Sequence, residues 1–448
     1  MDYQSFKNAV IAKAEELGIA EYELYYQSGS STSVDTFRHE INEFSASEEG
    51  GVCFRCIVGG KMGYASTEEL SAQQAAAIVE RAADNASVLE SEEQVFLCEG
   101  GKTYAVLDRK PYPLPTTEEM VSIALDTEKK LYAQDAAVID GSQINIMSGS
   151  SETAIYNSKG LDLYHSSSYS GMVTVAVVSN GKEMSNDYQI KLGQLNQMDT
   201  DAIVKKAVDT AKQKLGGEAA PTAVCPVVFD PEAMASLLGV FASAFSAEAA
   251  QKGLSKLSGK EGQTVAAPIV SVVDDPFHPE NPEPMTFDAE GCPTAKKNVI
   301  ENGVFKTLLH NMKTAAVAGV ETTGNAAKGG YDAAVGIRPF TMYLAAGDCT
   351  EEELLQKAEG GVYINSLSGL HAGANPISGD FSLQSAGFLI RDGKKADFVK
   401  SFTVAGNFYE MLGKITALSD KVILPRAFGK TAFGAPYVLV ENLSIAGK

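Results

Sequence analysis

Apolar residues Phe6, Val10, Ile11, Ala14 and Leu17 recur at helical spacing, and Gly18 stands where that helix should stop. The period then changes. Short alternating runs around residues 23–27, 33–38, 41–46, 52–58 and 61–66, joined by Ser/Gly/Glu turns too short for crossover helices, predict an antiparallel meander. An alanine-rich helix is expected over about 68–86, after which Pro111-Tyr112-Pro113-Leu114-Pro115 interrupts regular structure. Thr116-Thr117-Glu118-Glu119 has the form of a capped helix start, and that helix should run to about residue 133. Strands are expected near 140–147, 152–157, 162–169 and 173–179, and another helix over about 201–215. Gly216-Gly217-Glu218-Ala219-Ala220-Pro221 breaks the pattern and marks a domain boundary. Beyond it, 224–229 reads as a buried strand, Pro231 suits the first turn of a helix, and short strands with Gly/Pro turns dominate to the end.

Helices and strands in blocks give an α+β class. Residues 1–110 form an N-terminal helix and antiparallel meander, 111–217 a central α+β unit, and 222–448 a mostly antiparallel β domain with glycine-rich loops. The 448 residues exceed one ordinary core, so several units are expected. No apolar run approaches the roughly 20 residues that span a bilayer, and Met1-Asp2-Tyr3-Gln4-Ser5-Phe6-Lys7 lacks the blocks of a signal peptide, so a cytoplasmic location away from membranes is expected. A formal charge of −20 without a Lys/Arg cluster argues against nucleic-acid binding. Six scattered cysteines do not make a disulfide framework and are read as packing residues.

The stretch Gly369-Leu370-His371-Ala372-Gly373-Ala374-Asn375-Pro376-Ile377-Ser378-Gly379-Asp380-Phe381-Ser382 concentrates the candidate chemistry. Its glycines permit close approach by a foreign backbone, and Phe381, Leu383 and Phe388 read as a strand leaving the loop, an arrangement suited to an extended peptide or to a plain hairpin turn. His371, Gly373, Asn375, Ser378, Gly379, Asp380 and Phe381 are the candidate peptide-binding residues. Ser368, Ser378 and Asp380 lie near His371 in sequence, which does not by itself build a nucleophile and base.

Other constellations fall short of a site. Cys53-Phe54-Arg55-Cys56 has the spacing of half a zinc knuckle, but in a strand residues three apart face opposite ways. His39-Glu40 lacks a second histidine one turn on and is read as a solvated strand face. Asp274-Asp275-Pro276-Phe277-His278-Pro279-Glu280 could surround a cation, but its prolines favour a structural turn.

The glycine-rich stretch resembles the C-terminal signature of the TldD/PmbA family. The likeness continues through Asp392-Gly393-Lys394, Phe402-Thr403-Val404-Ala405-Gly406-Asn407-Phe408 and Gly434-Ala435-Pro436-Tyr437-Val438-Leu439-Val440. Upstream it takes in Gly50-Gly51-Val52, Asp274-Asp275-Pro276, Asp288-Ala289-Glu290-Gly291 and Thr323-Gly324-Asn325-Ala326, so it spans nearly the whole chain.

In the TldD branch this resemblance implies a helix bearing His-Glu-x-x-x-His and a C-terminal cysteine that together hold zinc. Here the helix after Pro231 places Leu238, Gly239 and Ser243 at the three key positions, and the last cysteine is Cys349. The chain is therefore similar to the PmbA branch, also called TldE, whose members lack the metal motif. The resemblance implies no catalytic residue and no cofactor in this chain, zinc in a TldD-like partner, and a subunit that positions unfolded peptide and encloses a chamber. Alternatives are a stand-alone homodimer that binds peptides or proteins without proteolysis, and an independent hydrolase assembled from distant residues. The family's association with DNA gyrase would, for so acidic a chain, act through peptides or proteins and not through DNA.

Overall fold

In the computed structural model, which describes residues 1–90, 93–108, 112–281, 283–426 and 431–448, the chain reverses sharply at Arg38 and His39, both at positive φ (53° and 67°). Strand β1 (Glu21–Phe37) enters this turn and β2 (Glu40–Val58) leaves it, with Phe37 paired to Glu40. A two-residue connection of this hand matches the twist of the strands it joins. Neither residue is glycine, and their side chains are anchored. Arg38 pairs with Asp140 at 2.9 Å, and the His39 ring lies 4.6 Å from that of Tyr132 and 3.6 Å from the carboxylate of the fully buried Glu128. His39 is thus a turn residue and not part of a solvated strand face.

Strands β1, β2, β3 (Lys61–Thr67), β4 (Gln143–Asn157), β5 (Asp162–Ser179) and β6 (Met184–Leu192) form one antiparallel sheet in the order β3-β2-β1-β4-β5-β6. The expected short strands are fused into fewer, longer ones. Serine and glycine clusters that read as turns instead lie in register across the sheet, as Ser31 opposite Ser47 and Ser151 opposite Ser167. Their hydroxyls pair across strands, Ser30 with Ser150 at 2.9 Å and Ser31 with Ser47 at 2.8 Å, so small polar side chains serve as rungs. Strand β6 was not anticipated; it follows a turn at Asn180-Gly181.

Helices α1 (Tyr3–Glu16) and α2 (Ala72–Val88) cover one half of a sheet face through Phe6, Leu24, Phe54 and Ile78, while α3 (Thr117–Gln134) and α4 (Thr200–Gln213) cover the other through Val34, Met120, Ile146 and Val204. Each start is chemically fixed. Asp2 accepts the Ser5 N–H at 2.7 Å, and Thr116 with Glu119 forms the expected capping box. Close seating of α2 requires Gly63, where a Cβ would lie 1.9 Å from the Ala82 carbonyl oxygen. Tyr112 to Pro115 of the proline-containing link are described, and Pro111 lies outside the described residues. The opposite sheet face packs Tyr25, Cys53 and Ile155 against Met285, Phe287 and Phe340 of the C-terminal part. Cys53 and Cys56 face opposite cores, as strand geometry requires.

The C-terminal part begins with β7 (Ala223–Phe229), α5 (Pro231–Phe241) and α6 (Ala247–Gln251), followed by β8 (Val272–Asp274), β9 (Lys297–Glu301), β10 (Val304–Phe305) and α7 (Met312–Ala318). A ribbon of β11 (Ala326–Ala327) and β12 (Gly336–Ile337) leads to β13 (Thr341–Leu344), α8 (Glu351–Lys357), β14 (Val362–Ser368) and α9 (Leu370–Gly373). Then come β15 (Asp380–Arg391), β16 (Lys394–Asn407), α10 (Phe408–Gly413), β17 (Ile415–Leu418), β18 (Ile423–Arg426), β19 (Ala432–Ala435) and β20 (Val438–Ala446). One sheet runs β10-β9-β8-β13-β19-β18, and another β16-β15-β14-β7-β20-β17. Strand β16 also pairs with the end of β20, so β16, β15, β14, β7 and β20 close into a ring. The parallel pairs β13–β19 and β14–β7 are exceptions to an otherwise antiparallel arrangement. Helix α5 is buried with Met234, Leu237, Leu238 and Phe241 in the largest core, where they meet Val227, Phe229, Leu383 and Val440. The class is α+β.

Candidate functional site

The glycine-rich stretch forms α9 and a tight loop into β15, closed by hydrogen bonds within itself and to α10. Asn375 accepts the backbone N–H groups of Ile377 and Ser378 at 2.9 and 3.2 Å, and its own carbonyl takes the Gly379 N–H at 2.8 Å. Asn407, the residue before α10, donates to the Ser378 carbonyl and to the Asp380 carboxylate, each at 2.8 Å. Its side-chain oxygen accepts the Tyr409 and Glu410 N–H groups, capping α10. The Asn407 amide, followed by the Ser378 hydroxyl, holds the Asp380 carboxyl below the usual carboxylate range. Tyr409 donates its hydroxyl to the Pro376 carbonyl at 3.1 Å, and Lys256 reaches the Ser378 carbonyl and lies over the Tyr409 ring.

This arrangement divides the sequence-derived candidates. His371, Asn375 and Asp380 are exposed, and the polar side chains of Asn375, Ser378 and Asp380 are engaged in the loop's own hydrogen bonds. Gly373 and Gly379 are close-packing positions: a Cβ would lie 2.4 Å from the Ser382 carbonyl oxygen at Gly373 and 2.4 Å from the Tyr409 ring at Gly379. Phe381 departs from the expectation of a ligand-facing ring. It is 3% exposed and meets Phe241 edge-on at 6.4 Å, while Phe241 stacks on Phe408 at 4.4 Å. Alternation along β15 turns Phe381 inward, so its ring anchors the loop on the end of α5.

Leu238, Gly239 and Ser243, the residues that the TldD resemblance aligns with a metal motif, lie on helix α5 and the 3-10 turn after it. Leu238 is fully buried. Gly239 faces Phe433, whose ring would lie 3.2 Å from an added Cβ. Ser243 follows in a 3-10 turn (Ala242–Phe245), exposed in a cavity of about 480 Å3 shared with Lys252, Arg338 and Phe433. An aliphatic side chain, a glycine and a hydroxyl do not supply the nitrogen, sulfur and carboxylate donors that zinc takes, so these residues do not fit the metal. Glu248, which also borders the cavity, is paired with Lys252.

A second polar cluster is buried between the N-terminal sheet and the C-terminal part. Arg55 of β2 donates to Glu23 of β1 at 2.8 Å, with both residues at most 7% exposed. Asp288 accepts the backbone N–H groups of Glu290, Cys292 and Ala326, each at 2.9 Å, and Glu290 accepts the Met312 N–H at 2.8 Å, the first of α7. Burial raises both carboxyls, Asp288 well above the ordinary range. Sequence reading registered Asp288-Ala289-Glu290-Gly291 only as part of the family likeness and missed Glu23 and Arg55. Their signal was a charged residue interrupting each of two otherwise apolar runs, Tyr22–Tyr26 and Val52–Val58.

The acidic turn is structural. Asp274 is fully buried and accepts from the Phe340 N–H and the Asn325 amide, both at 2.8 Å, with Lys297 at 3.2 Å. Asp275 accepts the Phe277 N–H at 3.0 Å. Among the described residues, no helix is long and apolar enough to cross a membrane.

Comparison with known proteins covers all three parts of the chain. The PmbA/TldA metallopeptidase domain 1 profile matches residues 22–86, the central domain profile 110–215 and the C-terminal domain profile 222–447. A Methanothermobacter thermautotrophicus protein called a metalloprotease is 27% identical over 91% of each chain, and a Haemophilus influenzae metalloprotease PmbA homologue is 24% identical over 88% of this chain and 86% of its own. Among solved structures, a candidate modulator of a DNA gyrase from Thermotoga maritima superposes with TM-score 0.89 at 30% identity, covering 99% of this chain and all of that one. TldE from Thermococcus kodakarensis superposes with TM-score 0.86 at 25% identity, covering 98% and 99%. Profiles across all three units, together with this full-length likeness in fold, establish that the chain belongs to the PmbA/TldD family of metallopeptidase-like proteins.

Proposed function

We propose that this chain is the non-catalytic, TldE-like subunit of a two-component cytoplasmic metalloprotease that degrades unfolded peptides. The observation that carries the reading is helix α5, where Leu238 is locked in the core, Gly239 lies against Phe433 and Ser243 offers only a hydroxyl. A hydrolytic zinc site needs three protein ligands and an activated water, and Leu238, Gly239 and Ser243 do not supply such ligands. Catalysis and zinc belong in this reading to a TldD-like partner, while this chain positions peptide and helps enclose the chamber. The exposed parts of the glycine-rich loop, His371 and Asn375 foremost, are the proposed peptide contacts, with Gly373, Gly379 and Phe381 holding the loop in shape.

The test is chelator-sensitive hydrolysis of an unstructured peptide by this chain alone, by a His-Glu-x-x-x-His homologue from the same source alone, and by the two mixed. Enhanced activity in the mixture is expected. Metal-dependent hydrolysis by this chain alone overturns the proposal, and unchanged partner activity on mixing favours the stand-alone binding reading.

A further inference from the structure

Two buried thiols meet at the boundary between the N-terminal sheet and the C-terminal part. Cys98 and Cys292 are separated by 194 positions in sequence, yet their sulfurs are 3.1 Å apart and both residues are fully buried. Cys98 lies in the irregular segment 93–108. Hydrogen bonds fasten that segment. The Cys98 carbonyl accepts from the Asn157 amide at 2.8 Å, the Gly100 N–H donates to the Lys159 carbonyl at 2.9 Å, and the Tyr104 hydroxyl donates to the Gly291 carbonyl at 2.8 Å. Cys292 ends the turn that Asp288 closes by accepting its N–H. Both backbones are therefore fixed on either side of the sulfur contact, and a bond at about 2.05 Å requires roughly 1 Å of further approach.

We infer that Cys98 and Cys292 are a redox modification site: a hydroperoxide-class oxidant converts them to a reversible disulfide that fastens the irregular segment to the C-terminal part. This inference is independent of the subunit reading. Polarity around the pair fits the roles. Hydrogen bonding with Cys292, and the Lys102 cation beside it, lower the Cys98 thiol, whereas hydrogen bonding with Cys98, then burial and Asp288, raises Cys292. Glu23 and Tyr104 also face the pair. Cys98 is thus the attacking sulfur and Cys292 the resolving one. The Cys98 thiolate attacks a peroxide oxygen and breaks the O–O bond, giving a sulfenic acid and releasing hydroxide, which the thiol's proton converts to water. The Cys292 sulfur then displaces the sulfenic oxygen, which leaves as a second water with the Cys292 proton. Two thiols are oxidised and one peroxide is reduced to two waters. Because both sulfurs are buried, the reaction proceeds through local opening of the irregular segment.

The full-length chain is treated with hydrogen peroxide, quenched with an alkylating agent under denaturing conditions, and mapped by mass spectrometry without reduction. The expected result is loss of two of the six alkylatable thiols, a linked peptide containing Cys98 and Cys292, and full recovery of both thiols with dithiothreitol. Cys292→Ser should leave a Cys98 sulfenic acid that dimedone traps, and oxidation should raise the thermal midpoint of the wild type but not of Cys98→Ser. Retention of six thiols, or a link that joins any other pair, overturns the inference. Peptide mapping on the wild type decides the question even where a variant fails to fold.

Discussion

The ring of Tyr409 occupies the space that a side chain on Gly379 would need. Gly379 sits at φ +82°, its missing Cβ would lie 2.4 Å from the ring, and the Tyr409 hydroxyl reaches back to Pro376 in the same loop. Gly379→Ala should therefore destabilise the chain by about 1–3 kcal/mol, read as a lower urea midpoint, and adding Tyr409→Ala should not compound the loss fully. A neutral Gly379→Ala would refute the close approach. For the same reason, bulk at position 379 cannot report peptide contact. His371→Ala, at an exposed position, should leave stability within about 0.5 kcal/mol and reduce peptide hydrolysis by the two-subunit mixture. Unchanged hydrolysis would remove His371 from the contact surface.

Arg55 and Glu23 form an ion pair out of water, so removing one partner strands the other. Arg55→Ala should cost about 3–5 kcal/mol. The double replacement Arg55→Met with Glu23→Leu should lie much closer to the wild type, because neither charge then remains buried. Denaturant titration of the variants separates the two cases, and equal losses in both would contradict this account.

Asp230 caps α5, accepting the Ala233 N–H at 2.7 Å, and burial pushes its carboxyl from 3.8 up to about 7. Glu232, Lys395, Tyr363 and Tyr437 face it. The folded chain keeps a proton that the unfolded chain releases, so this group's contribution to stability is full below about pH 4 and is lost as pH rises to about 7, by at most roughly 4 kcal/mol. Asp230→Asn keeps an acceptor for the cap and has no titration. It should flatten stability across that window and exceed the wild type at pH 8. Identical pH profiles for the two proteins would count against the shift.

Rebuilding the metal motif as Leu238→His, Gly239→Glu and Ser243→His should not create a zinc site here. The first change puts an imidazole where Leu238 is fully buried, and the second drives a side chain into Phe433. A loss of about 2–5 kcal/mol is expected from the first change alone, with no bound zinc after equilibrium dialysis. Stoichiometric zinc in a folded triple variant would show that α5 still has the geometry of a metal helix.

Helix starts were the most legible part of the fold, because caps are local: Thr116 with Glu119 and Pro231 after Asp230 act within one turn. Strand length was hidden, since Ser28–Ser33 and Ser45–Gly51 have turn composition and become strand by pairing with each other, the first also with β4. The loop's glycines were visible, but the reason for Gly379 lies in Tyr409, thirty residues on. Cys98 beside Cys292 could not be read from spacing at all, because a 194-residue separation is closed only by the tertiary fold.

The ring of strands in the C-terminal part joins its first strand to its last. Val227 and Val228 of β7 pair with Val440 and Leu439 of β20, and Thr403 of β16 pairs with Ala446. During synthesis, β7 leaves the ribosome some two hundred residues before the strand that must lie beside it. Phe229 and its neighbours gain β14 along one edge once residues 362–364 are made, but their other edge waits for β20, which makes this half of the molecule late to close. A message truncated before residue 438 would yield a chain that no amount of time could close.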